Sequence, residues 1–74
     1  MALSASAKAA RQQRLVDSAH ALIRESGAGF SMLQLAEHAG VSPATPYNLL
    51  GSKTEVLRLV IRDEFASFTL RLAT

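Results

Sequence analysis

The sequence predicts an all-α fold, a small four-helix unit, on three observations. Gly27, Gly29, Gly40 and Gly51 all fall where helical periodicity stops. Twice a serine stands just ahead of a helix-period run with Gln or Glu three residues later, Ser31 with Gln34 and Ser52 with Glu55, the pattern of a capping box. No stretch alternates apolar and polar residues as a strand would.

The first helix is expected over about Lys8 to Ser26, where Leu15, Ala19, Leu22 and Ile23 recur at helical spacing. Arg11, Arg14, Asp17, Arg24 and Glu25 fill its other faces, and Gly27 suits the position just past its end. After "GAGF" comes a two-turn second helix, Met32 to Ala39, capped by Ser31 and closed by Gly40. Leu35, Ala36 and Ala39 face inward from it, and Val41 plugs the turn that follows. The third segment, "SPATPYNLL", carries Pro43 and Pro46. With Ser42 as N-cap, Pro43 takes the first helical position, where proline fits best. Pro46 then falls in the fourth, and its missing N–H removes a bond to the Ser42 carbonyl. The other resolution moves the cap to Thr45 and leaves barely a turn and a half. The first is preferred because it lets Pro46 pack on the second helix, and it predicts a distorted opening turn. A long fourth helix from Lys53 carries Leu57, Val60, Ile61, Phe65, Phe68 and Leu72 on one broad stripe.

Seventy-four residues make one small domain, near the lower limit for a core without staples. There is no cysteine, which removes disulfides and thiolate metal sites. No uncharged apolar run approaches the ~20 residues of a membrane span, and the N-terminus lacks a signal peptide's apolar stretch. A cytoplasmic chain is expected. The net charge of +2 is uneven, because Lys8, Arg11 and Arg14 fall within the first fourteen residues with no acid among them. Such a lead-in suits contact with a phosphate backbone, and charge alone equally fits a solvated tail. Residues 1–10 are read as a basic flexible arm, 11–61 as the folded domain and 62–74 as a continuation of the fourth helix.

Two short helices joined by a tight turn that starts with glycine form a helix-turn-helix, whose second helix can enter a DNA major groove. The run "LAEHAGVSPATPYNLLGSKTEVL" resembles the DNA-binding domain of the TetR family of transcriptional repressors. Leu35, Ala36, Ala39, Gly40, Val41, Ser42, Thr45, Tyr47, Ser52, Lys53 and Leu57 fall in register with that family's pattern. "RLVDSAHALIRESG" is similar to its first helix, so the likeness covers about Arg11 to Ile61.

The resemblance implies a three-helix, homeodomain-like domain plus a long C-terminal helix. Its function would be sequence-specific regulation of transcription, as a repressor reading double-stranded operator DNA with the third helix, about residues 43–50. Ser31 would meet a phosphate at the second helix's N-terminus. Pro43, Ala44, Thr45 and Asn48 would face the groove, Thr45 offering hydroxyl and methyl to base edges. Asn48 would read adenine or simply be solvated. Tyr47 would bond a phosphate through its phenol while its ring packs, and Lys53 would pair with a phosphate as a point charge. Lys8, Arg11 and Arg14 are further candidate backbone contacts.

In the family the fourth helix leads into a helical domain that dimerises and binds an inducer, in a bacterial, nucleoid-associated setting. Here Phe65, Phe68, Leu70 and Leu72 have little left to pack against, which implies a further domain or self-association. Pro46 and Leu50 replace the family's usual Leu or Val and core Phe. Leu49 and Leu33 stand where polar residues often touch the backbone. These departures predict weaker DNA binding than a typical member.

No enzyme, metal or cofactor site is expected. His20 and His38 lie on different helices with no carboxylate at ligand spacing, and without a strand there is no phosphate loop. A second reading stands beside the regulator: a small helical interaction module that associates through the fourth helix without binding DNA. A membrane-surface helix is disfavoured by Glu55, Asp63 and Glu64 among its bases.

Overall fold

The computed structural model describes residues 2–73, and the side chains of 6–72. It contains four helices: α1 (Ala2–Ser26), α2 (Met32–Ala39), α3 (Thr45–Leu50) and α4 (Lys53–Ala73). No strand occurs among the described residues, so the all-α expectation holds.

The start of α1 is corrected from Lys8 to Ala2, and the stretch expected as a flexible arm is helical from Ala2 onward. Alanine is the strongest helix former, and it fills positions 2, 5, 7, 9 and 10. The ends of that arm and of the C-terminal extension, Met1 and Thr74, lie outside the described residues. At the other end, the Gly27 N–H bonds the Ile23 carbonyl at 2.8 Å and closes the helix.

The capping box opening α2 is complete. Ser31 Oγ accepts from the Gln34 N–H at 3.0 Å, and Gln34 Oε1 accepts from the Ser31 N–H at 2.8 Å. At α4 the Ser52 hydroxyl accepts from the Glu55 N–H at 3.3 Å, while the Glu55 carboxylate pairs with Arg58.

Leu15, Ala19 and Leu22 of α1 are buried as their spacing predicts, joined by Val16. Against them pack Phe30, Met32, Leu35 and Ala36, then Pro46 and Leu50 of α3, then Val56 and Val60 of α4. No polar or charged residue is buried among those described, so apolar contact holds the unit together.

The fourth-helix stripe is also corrected. Val56 and Val60 meet the core, Leu57 and Leu59 are half-buried, and Ile61, Phe65, Phe68 and Leu72 are exposed. Each helical residue turns about 100°, so Ile61 points well away from the direction of Val60. What reads as one broad stripe is two faces.

His20 of α1 meets Asp63 and Glu64 of α4, which marks where the two long helices cross. Both run on past that crossing, giving a flat molecule of 38 × 37 × 18 Å. Among the described residues, no helix is long and apolar enough to cross a membrane.

Candidate nucleic-acid interface

The turn between α2 and α3 is set by Gly40, at φ 71° and ψ 35° in the left-handed region. Its N–H bonds the Glu37 carbonyl at 3.2 Å, and the Val41 N–H reaches back to the Ala36 carbonyl at 3.0 Å. This pair of bonds is a Schellman closure, which satisfies carbonyls that a helix end leaves orphaned. Val41 packs against the core beneath it, as its place in the turn predicts.

The prolines resolve differently from the preferred expectation. The N-cap of α3 is Ala44 rather than Ser42, and the helix begins at Thr45. Pro43 and Ala44 form the centre of a turn in which the Thr45 N–H bonds the Ser42 carbonyl at 3.0 Å. Pro46 therefore falls in the first helical turn, where a missing N–H costs little. The Ser42 carbonyl, which residue 46 cannot bond, accepts from the N–H of residue 45 instead. The distortion is expected inside a helix capped by Ser42; instead the 45-to-42 bond tightens the turn ahead of the helix, and Pro46 is fully buried, as its packing role requires.

The outward face of α3 carries Pro43 and Ala44 from the turn, then Tyr47 and Asn48, all exposed. Tyr47 keeps 55% of its surface open. Thr45 is only half-exposed, and its hydroxyl lies 2.8 Å from that of Ser42, bracing the turn. Leu49 is half-buried against the core and Leu50 is buried, whereas Leu33 on α2 is exposed. Leu49 thus contributes packing where the sequence comparison marked a lost surface contact.

Basic groups border this face on two sides. Arg11 and Arg14 of α1 line a narrow crevice with Thr45, Leu49, Ala39 and Val41. On the other side the Lys53 ammonium rests 4.7 Å from the centre of the Phe30 ring, a cation–π contact that fixes where the charge sits. Phe30 directly precedes Ser31, so Lys53 is held beside the α2 N-terminus. The Ser31 hydroxyl is exposed while it caps the helix. Lys8 is exposed a turn ahead of Arg11 and Arg14.

Sequence reasoning missed Gln12. Its side-chain amide donates to the Leu49 carbonyl at 2.8 Å, tying α1 to the end of α3 across 37 residues. No local signal marks such a contact.

The two histidines differ in setting, His20 half-buried between helices and His38 exposed. Half-buried His20 places Nε2 3.2 Å from Asp63 and Nδ1 3.3 Å from Glu64, carboxylates that helix spacing along α1 could not reveal. His38 lies 3.9 Å from Glu25. Among the described residues, no group of three or more His, Cys, Asp or Glu could hold a metal ion.

The chain matches no family model, no curated protein and no solved structure among those compared.

Proposed function

We propose that this chain binds double-stranded DNA as a helix-turn-helix transcriptional regulator of the TetR type, acting as a repressor by occupying its operator. The observation that carries the reading is the two-sidedness of α3. Its inner side, Pro46 and Leu50, is buried, while Pro43, Ala44, Tyr47 and Asn48 stand uncovered between flanking cations. A short helix fixed to a core by one side and bare on the other fits a major groove about 12 Å wide.

In this reading Asn48 addresses a base edge, with its amide matched to adenine, and Pro43 and Ala44 offer apolar surface to thymine methyls. Tyr47, Lys53, Arg11, Arg14 and Lys8 address phosphates, with Ser31 adding its hydroxyl. Thr45 supports the turn more than it reads sequence, because its hydroxyl already engages Ser42.

The test is duplex binding by the wild-type chain and two variants, on DNA selected from a random pool. Lys53→Ala should weaken all sequences alike and flatten the salt dependence by about one unit of slope. Asn48→Ala should instead relax preference at one base pair, at a cost of about 1–3 kcal/mol. Equal affinity in all three proteins would overturn the assignment.

The exposed face of α4 favours the second reading, an association module. Self-association with no salt-sensitive DNA binding would select it.

A further inference from the structure

Ile61, Phe65, Phe68 and Leu72 are 66%, 70%, 54% and 71% exposed. Their steps of four, three and four residues trace the narrow apolar seam along which two helices interdigitate. The seam lies on a different face from Val56 and Val60, so the α4 residues that hold the fold are not consumed by it.

We propose that α4 pairs antiparallel with α4 of a second copy of this chain, along that seam. Three features of the helix point to a copy of itself. A two-fold axis between Ala66 and Ser67 sets Ile61 against the second copy's Leu72, and Phe65 against its Phe68. Each large side chain therefore meets another, and the same patch serves both partners, as an isologous interface demands.

Charge selects the direction. Residues 61–66 carry Arg62, Asp63 and Glu64, and residues 67–72 carry Arg71. Antiparallel pairing lays the acidic half of each helix along the basic half of the other, and helix dipoles oppose favourably. Glu64 lies on the same flank of the seam as Arg71 and comes near it across the pair. Its side chain is 61% exposed even while it meets His20.

Area is sufficient. A phenylalanine buries roughly 150–250 Å², so these four side chains offer on the order of 500 Å² per copy. Two copies fully covering the seam reach about 1,000 Å², the size of a weak, reversible pair. The pairing stands independently of DNA binding.

Sedimentation equilibrium of the full chain tests it, against a monomer mass of 7.9 kDa. The mass should rise toward twice that value with concentration. Phe65→Glu, and separately Phe68→Glu, should raise the dissociation constant at least tenfold. Both positions are exposed, so the circular dichroism of each variant should match the wild type. The chain has no cysteine, so Arg58→Cys can carry a single spin label. Antiparallel pairing places the two labels about 25 Å apart along the axis. A separation near the ~10 Å spacing of adjacent helices would mean parallel pairing and overturn the proposal. So would a chain that stays monomeric at high concentration, or a dimer indifferent to both glutamates. Capture of a different protein by the same face, with no self-association, would overturn it equally.

Discussion

Gly40 sits at φ 71°, a backbone state that costs an L-residue about 1–2 kcal/mol. No atom lies within 4 Å of where a Cβ would be, so space is not the obstacle and the strain is conformational. Gly40→Ala should therefore destabilise by about 1–2 kcal/mol, measured by urea unfolding, with the core intact. Gly40 and the Ser31–Gln34 box are legible in the sequence because each is a local requirement met by local residue types. Tyr47 and Asn48 are likewise legible as exposed, since Pro46 and Leu50 must face the core and the helix period fixes the rest. Gln12 is not legible. A polar side chain on a helix carries no mark of which distant carbonyl it will meet, and the Leu49 partner exists only once α1 and α3 have packed. Replacing Gln12 with alanine leaves that carbonyl to water and should cost about 1 kcal/mol, read in the same unfolding experiment.

Among the elements, α3 depends most on its neighbours. Six residues are too few for a helix to persist alone in water, so its shape is borrowed from α1 and α2. Local rules therefore do not fix where it starts. Serine, asparagine and aspartate are the favoured caps, yet the cap is Ala44: Pro46 at the second helical position has no N–H to offer a capping side chain, and the Thr45 N–H is already bonded to the Ser42 carbonyl. The Ser42 hydroxyl goes instead to Thr45. For α2 local chemistry does decide, and Ser31→Ala should cost about 1 kcal/mol by removing the acceptor for the Gln34 N–H.

The two ends of the long helices mark the opposite limits of sequence reading. α1 extends further than expected because alanine propensity sustains a helix without an apolar face. In α4 apolar spacing suggests one stripe, but only packing decides which apolar residues enter the core. Val56 is chosen because it lies on the side of α4 that packs on α1 and α3, whereas Ile61 is turned outward. The His20 contacts to Asp63 and Glu64 belong to the same class, being products of the α1–α4 crossing rather than of any spacing along one helix.

For the molecule as a whole, stability has little to spare. A chain of this length folds with about 4–11 kcal/mol at typical values per residue. Leu35 is fully buried at the junction of α2 with the core, and Leu35→Ala should cost about 2–5 kcal/mol. A thermal melt should therefore show that variant largely unfolded or close to it, whereas Tyr47→Ala on the exposed face should melt near the wild type. That contrast separates residues that build the helix-turn-helix from those available to a ligand. Arg11 and Arg14 border α3, Lys53 stands over Phe30 next to the α2 N-terminus, and Lys8 precedes Arg11 by about one turn; together they would neutralise about four phosphates in one bound copy. The most direct measurement is the affinity of the chain for duplex DNA between about 50 and 200 mM salt. The logarithm of the association constant should fall linearly with the logarithm of salt, with a slope of about −3.6 per bound copy. Failure to bind duplex DNA even at the lowest salt, or binding that salt does not weaken, would contradict the DNA-binding account.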